Sequence, residues 1–357
     1  MKGLGLHRVI SPIGSLPQAA DRLDCERPLE TGEIGIDVDL INLDSASYRD
    51  LVEHHRGDVD RMRSELIETV ERRGKLVNPR TGSGGMLIGR IAAISDTVAS
   101  KPHFLGEQVA TLVSLTATPL KILDRLEQWD GRSEVIPLTA RAVAAAPRML
   151  VSMPCDLPTK LTLSVLDVCG AAAQIDRVIA RGLLSGTMRQ LLFLGGGKSA
   201  VLGAAVARRH AVRVATVVPS QDEARKLSAM AVFDEVLVAD ATRPTTVRHA
   251  VEATLGRLAD VTLVCVNAPG CEHSALLATR SGGTVIYFSM STSFPAVTLG
   301  AEALCLDLDI YFGSGYLPGH AELALEIVRS DSRVREFFDC HLETAKSSEL
   351  HDKEDHA

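Results

Sequence analysis

The rhythm of apolar and polar positions changes part-way along the chain. Over Ile34-Gly35-Ile36-Asp37-Val38-Asp39-Leu40 apolar and polar residues alternate, which predicts a half-buried strand. Met62, Leu66 and Val70 recur every four residues among charged positions, which predicts an amphipathic helix over 58–73. Two glycine-dense turns, Thr81 to Gly89 and Gly106 to Val113, each lead into a strand, and Met149 to Pro154 closes this β-rich part. From residue 161 the pattern differs. Leu161 to Ile179 reads as mostly apolar helix, after which short apolar runs alternate with helical patterns. The runs are Leu191–Leu194, Val212–Val218, Glu235–Ala239, Val261–Val266, Thr284–Phe288 and Asp309–Phe312. Continuous apolar runs suit strands covered on both faces, so six of them separated by helices predict an α/β, doubly wound parallel six-stranded sheet.

At 357 residues and 46% hydrophobic content the chain exceeds one ordinary core. The expected division is a first domain over 1–160 that takes back 325–345, a second over 161–324, and a mobile polar tail over 346–357. A net charge of −7 without a basic stripe argues against a nucleic-acid partner. The first residues lack a signal-peptide core, and no run approaches the ~20 apolar residues that span a bilayer. The seven cysteines form no CxxC pair. A cytoplasmic protein with reduced thiols, without membrane or nucleic-acid partners, is the expectation.

The chemistry-bearing motif is Gly195-Gly196-Gly197-Lys198-Ser199-Ala200, between a buried strand and an alanine-rich helix. Gly195, Gly197 and Ala200 fit G-x-G-x-x-G/A. The first permits a tight turn, the second a close approach to a pyrophosphate, and the small third residue close helix–strand packing. The alternative is an ordinary strand–helix turn. Gly197-Lys198-Ser199 imitates the end of a P-loop, but Leu192 stands where that motif needs glycine. The expected cofactor is NAD or NADP. The choice stays open, because the second strand runs into Pro219-Ser220-Gln221-Asp222 with no carboxylate at its tip, while Ser220, Arg225 and Lys226 are expected to suit a 2′-phosphate or simply to face solvent. Cofactor contacts are also expected from the ends of later strands: Asp240, Asn267-Ala268-Pro269 and Ser289-Met290-Ser291.

A β-rich domain before such a sheet resembles the medium-chain dehydrogenase/reductase superfamily, which implies a GroES-like first domain and a Rossmann second domain. The zinc-bearing members carry a cysteine on an early loop and a Gly-His-Glu segment. Here those places read Asn42-Leu43-Asp44-Ser45-Ala46-Ser47-Tyr48 and Gly82-Ser83-Gly84-Gly85, so no metal is expected, and His54-His55 read as solvated surface. A narrower resemblance rests on His7-Arg8-Val9-Ile10, Asp44-Ser45-Ala46-Ser47, Asn78-Pro79, Thr81 to Gly89, Ala110 to Leu115, Thr118 to Ile122, Leu166-Asp167-Val168, Ala239 to Thr242, Phe288-Ser289-Met290, Leu299 to Glu302 and Gly313 to Tyr316. These strings are similar to the L-erythro-3,5-diaminohexanoate dehydrogenases of lysine fermentation. Two departures stand out: the glycine loop is one residue shorter than that family's Gly-Ser-Ala-Gly-Lys-Ser, and 123–146 look different.

The resemblance implies NAD(P)-dependent removal of the 3-amino group of a diamino acid, in an enzyme that is commonly a homodimer. A substrate with two amines and one carboxylate calls for carboxylates, hydroxyls and a cation. Asp44, on the loop that replaces the metal-binding one, is expected to bind the amine or act as base, with Ser45 and Ser47 orienting it; the alternative is a turn-capping aspartate. Lys121 is expected to hold the substrate carboxylate and Glu302 the second ammonium, each alternatively a surface charge. Asp167, on an apolar helix, needs a partner if buried. Two other readings remain: a zinc-free quinone-oxidoreductase-like NADPH reductase, and a dinucleotide sensor without chemistry.

Overall fold

The computed structural model describes residues 3–95, 103–112, 114–145, 150–182, 190–299, 305–313 and 316–351, the side chains of 299 and 343–351 excepted. The chain divides into two compact units, Met1–Thr159 and Lys160–Ala357.

In the first unit, β1 (Val9–Ser11) and β2 (Arg22–Leu23) pair antiparallel beside a six-stranded antiparallel sheet. That sheet comprises β3 (Ile34–Asn42), β4 (Met86–Ile94), β5 (Gln108–Thr111), β6 (Leu120–Ile122), β7 (Val135–Ala144) and β8 (Leu150–Ser152), in the order β6-β7-β3-β4-β5-β8. The alternation in β3 buries Ile34, Ile36 and Val38 and exposes Asp37 and Asp39. The register against both neighbours then slips between Val38 and Leu40, so Ile41 rather than Leu40 is buried. Between β3 and β4 lie α1 (Ser45–His55) and α2 (Val59–Arg73). Asp58 caps α2 by accepting from Arg61 N, Gly74 closes it in the left-handed region, and Met62, Leu66 and Val70 face the core as their spacing predicts.

Two of the family-like strings prove to be framework. Arg8, fully buried, donates to the carbonyls of Asp24, Arg27 and Pro28 and to both oxygens of Glu33, whose side chain is 1% exposed. It pins the loop ahead of β3. The glycines at 84 and 85 permit backbone to lie on backbone: a Cβ on Gly85, at φ 78°, would stand 2.0 Å from Asn42 O, and one on Gly84 2.5 Å from Leu76 O. Gly85 is thereby pressed against the end of β3, and Gly84 against Leu76.

In the second unit, α3 (Thr159–Leu166) and α4 (Cys169–Ala180) precede β9 (Gln190–Leu194), α5 (Lys198–Arg208), β10 (Arg213–Val218), α6 (Gln221–Met230), β11 (Glu235–Val238), α7 (Pro244–Leu255), β12 (Ala259–Val264), α8 (Glu272–Ala278), β13 (Thr279–Tyr287), α9 (Phe294–Leu299) and β14 (Leu308–Phe312). The sheet order is β11-β10-β9-β12-β13-β14, every pair parallel. The strand order reverses between β9 and β12, where a doubly wound sheet leaves a crevice at the strand C-termini.

Three expectations need correction. Residues 161–179 are mostly helical as expected, in two helices, but Asp167 sits in the turn between them rather than on a helix, with a half-exposed side chain facing the Lys198 ammonium at 3.7 Å. Segment 325–345 does not return to the first unit: α10 (His320–Ser330) packs on α4 and α5, and α11 (Ser332–His351) on α5. The apolar face of α10, with Ala321, Ala324, Leu325, Ile327 and Val328 buried, draws it onto these helices. The segment expected as a mobile tail, 346–357, begins within α11, whose backbone is helical to His351.

Candidate active site

In the first unit, segment 78–85 and the start of α1 bring two family-like strings together. Asp44 is the N-cap of α1, its Oδ1 accepting from Ser47 N at 2.9 Å. Ser47, 2% exposed, shares a 2.6 Å hydrogen bond with the Thr81 hydroxyl, and Asn78 donates to Ser47 O at 3.3 Å. The exposed Ser45 hydroxyl donates to Glu134 at 3.0 Å. Asn78 also donates to Asp50, Arg80 bridges Asp50 and Glu65 at 2.6 and 2.8 Å, and His55 meets the other oxygen of Glu65 at 2.5 Å. Burial would raise the Asp50 and Glu65 carboxyls, but the bonds from Asn78, Arg80 and His55 outweigh it and hold both below their ordinary values. These two carboxylates are ionised and engaged. Asp44 differs: its Oδ2 is buried and finds no hydrogen-bond partner among the described residues. An acceptor left bare in the interior is costly unless a ligand supplies the donor.

The capping role foreseen as the alternative for Asp44 is therefore real, but it occupies only one oxygen. His55 also departs from expectation, because Glu65 is its companion. The ligand atoms of His54, His55 and Glu65 lie within 4.8 Å of one another, yet Arg80 and His55 already take both Glu65 oxygens. Lys121 does not join the cluster. It lies on the edge strand β6 opposite Arg141, is 45% exposed, and pairs with Glu26 at 2.5 Å. Through Arg141 it shares a row with Asp37, seven positions before Asp44, which is roughly 20 Å along the strand. Glu302 lies outside the described residues.

In the second unit, the glycine loop leaves β9 at the reversal of strand order. Gly195, at φ 106°, donates to Val217 O and accepts from the Thr216 hydroxyl. Cys265 Sγ donates to the carbonyls of Leu194 and Gly195, and burial pushes this thiol up to about 12, so it serves as a neutral prop beneath the turn. A Cβ on Gly196 would meet Leu227 Cδ1 at 2.3 Å, whereas over Gly197 there is nothing within 4 Å. Gly197 is the N-cap of α5 and offers no side-chain cap, so the first-turn N–H groups of Lys198, Ser199 and Ala200 have no side-chain acceptor at the cap, and there is open space beside Gly197, as an anion site requires. The Lys198 ammonium turns toward Ser164 at 3.4 Å and Asp167. Ala200 is buried, and a close helix–strand approach lies at Gly203, where a Cβ would stand 2.8 Å from the Phe193 ring.

Ser220 is committed to capping α6, accepting from Glu223 N, and Arg225 is drawn to Asp222. Asp240 is an exposed turn residue whose carboxyl is held low by the hydroxyl and amide of Thr242. The loops after β12 and β13 do meet: Ser289 donates to Asn267 Oδ1 at 3.3 Å and accepts from Ser291 N, and Ala268, Pro269 and the 94%-exposed Met290 flank that contact. Glu272, 3% exposed, was not foreseen. Its carboxylate accepts from Ser293 N at 2.7 Å and its carbonyl from the Tyr287 hydroxyl, tying the helix after one loop to the end of the other.

Residues 7–154 match the family described as the L-erythro-3,5-diaminohexanoate dehydrogenase N-terminal domain. A protein named L-erythro-3,5-diaminohexanoate dehydrogenase from Acetoanaerobium sticklandii is 37% identical over 347 residues, 95% of this chain and 99% of that protein. The chain belongs to the L-erythro-3,5-diaminohexanoate dehydrogenase family. A second protein of that name, from Fusobacterium nucleatum subsp. nucleatum, is 36% identical over 94% of this chain and 96% of its own length. Among solved structures, the D-arabinose dehydrogenase from Sulfolobus solfataricus superposes with a TM-score of 0.54 at 12% identity, covering 87% of this chain and 90% of its own. At that identity it speaks for the fold: a GroES-like first unit and a Rossmann second unit, in a member of the diaminohexanoate dehydrogenase family. Among the described residues no helix is long and apolar enough to cross a membrane.

Proposed function

We propose that this enzyme removes the 3-amino group of 3,5-diaminohexanoate oxidatively, giving 5-amino-3-oxohexanoate, ammonia and NAD(P)H. The observation that carries the reading is the buried Asp44 Oδ2, without a partner among the described residues, near Asp50 and Glu65, which are otherwise engaged. When bound, the nicotinamide supplies a hydride acceptor for C3. The amine must be neutral for its lone pair to drive that transfer, and an alkylamine of pKa ~10 pays roughly 4 kcal/mol for this at pH 7. Asp44 is the proposed base: Oδ2 accepts from the substrate ammonium and takes its proton as the hydride leaves C3, while the bond from Ser47 N to Oδ1 and the Ser47–Thr81 pair hold the carboxylate in place. Water then adds to the iminium carbon and ammonia leaves. Glu302 is the proposed contact of the second ammonium.

The test is a spectrophotometric screen of β-amino acids, 3,5-diaminohexanoate included, against NAD⁺ and NADP⁺, with quinones and enals as comparison substrates. Reduction of dinucleotide that depends on the diamino acid is expected. Inertness toward every amine, with quinone reduction instead, would overturn the reading.

The pyrophosphate site has its own test. Gly197 has an ordinary φ of −76° and open space around its Cβ position, so Gly197→Ala should leave the melting temperature unchanged. It should weaken NAD(H) binding about 10-fold, because the added methyl stands where the phosphates approach. Titration of NADH by fluorescence reads this directly; an unaltered Kd would move the phosphates away from Gly197.

A further inference from the structure

Beside Asp44 the fold brings a second carboxylate from a distant part of the first unit. Leu43 N donates to Glu134 O at 2.9 Å, and the Ser45 hydroxyl donates to Glu134 Oε2 at 3.0 Å. Glu134 therefore holds the chain on both sides of Asp44, its backbone against the residue before and its carboxylate against the residue after. Its place is fixed by a firmly docked loop, 123–134. Trp129, 1% exposed, donates its indole N–H to Ser133 O at 2.8 Å, and Tyr48 of α1 donates to Gly131 O at 3.0 Å. Gly131, at φ 75°, lies so close to α2 that a Cβ there would stand 2.6 Å from Val59. Ser133 Oγ accepts from Val135 N at 3.1 Å, where β7 begins. The two carboxylates differ in setting: the Ser45–Glu134 contact is exposed to solvent, whereas Asp44 Oδ2 is buried.

We infer that Glu134 is a specificity-determining residue: its carboxylate receives the ammonium on C5 of the substrate while Asp44 engages the amine on C3. This rests on the diamino-acid reading above. The two amine-bearing carbons of 3,5-diaminohexanoate are separated by one methylene, so a site for both needs two anionic groups side by side. Burial disfavours a charged amine, which suits Asp44 to the group that must give up its proton. The exposed Glu134 suits the ammonium that stays charged. A carboxylate accepts at about four positions, so Glu134 can keep its bond from Ser45 and still receive an ammonium. An ammonium has three donors, so this contact does not exclude the one proposed for Glu302. A 3-amino acid without the second amine forgoes the charge-assisted bond to Glu134 and binds more weakly.

The test compares 3,5-diaminohexanoate with 3-aminohexanoate, which lacks only the C5 amine. Steady-state kcat and KM are measured on the parent, Glu134→Gln and Ser45→Ala, with melting temperatures as a check on folding. The parent is expected to favour the diamino acid at least about 100-fold in kcat/KM. Glu134→Gln should raise KM for the diamino acid at least about 10-fold and leave its kcat within about two-fold, with the 3-aminohexanoate kinetics unchanged, so the preference falls by the same factor. Glutamine keeps the size of the side chain and can still accept from Ser45, so the loss reports charge rather than packing. Ser45→Ala should act in the same direction more weakly, since the carboxylate loses its anchor but keeps its charge. An unchanged KM in Glu134→Gln, an equal loss with both substrates, or a parent that turns over both equally well overturns the assignment while leaving the diamino-acid reading intact. A parent without turnover of the diamino acid overturns both.

Discussion

Asp44→Asn is expected to lower turnover of 3,5-diaminohexanoate at least about 100-fold, while NADH affinity and melting temperature stay near those of the parent. The two oxygens of Asp44 have separate tasks. Oδ1 caps α1 through Ser47 N, and asparagine caps a helix about as well as aspartate, so the start of α1 and the Ser47–Thr81 contact should survive. Oδ2 is buried with no partner among the described residues, and the substitution removes its charge and its capacity to take a proton. Asp44→Ala separates the tasks in the other sense, since it should add a stability loss of about 1 kcal/mol from the missing cap. Steady-state assays and thermal melts on both variants decide the matter. Near-parental turnover in Asp44→Asn would leave Asp44 a capping residue and nothing more.

The largest expected effect on stability belongs to Glu33→Gln. Its carboxylate is 1% exposed and faces the fully buried Arg8 guanidinium, so neutralising it leaves a buried cation without its counter-charge, at a cost of about 3–5 kcal/mol. For a unit of this size that corresponds to roughly 10 °C in melting temperature. The acid dependence has a definite sign. Burial by itself would raise the Glu33 carboxyl, but hydrogen bonds from Arg8, Glu30 N and His7 outweigh it and hold the folded value below the ordinary one. A depressed carboxyl contributes stability above its unfolded value of about 4.3, and that contribution disappears as pH falls through the folded value. The gap in melting temperature between parent and variant should thus be full at pH 7 and narrow below about pH 4. A gap that stays constant with pH would show that packing, not charge, is what Glu33 supplies.

These cases mark how far the residue pattern reaches. The period-2 alternation of β3, the period of four in α2 and the six apolar runs of the second unit were legible because each reflects the environment of a single element, and an element repeats its face at a fixed interval. The bulge in β3 was not, because the slip at Val38–Leu40 depends on the register of two neighbouring strands. The destination of α10 and α11 was hidden for a similar reason: an apolar face announces that a helix must be covered, not which unit covers it.

The candidate site divides along the same line. From the sequence alone came the glycine loop between strand and helix, the absence of a cysteine on the 42–48 loop, and the strings at 44–47 and 78–89, each contained within a short stretch of chain. Only the tertiary structure decided what those residues touch. It pressed Gly85 against the end of β3 and brought Thr81 to Ser47; it engaged the Asp50 and Glu65 carboxylates while leaving one oxygen of Asp44 bare. It also parted Lys121 from that cluster and set Glu134 beside Ser45. A side chain's chemistry is written in its identity, but its ionisation and availability depend on neighbours tens of residues away along the chain, and only folding assembles them.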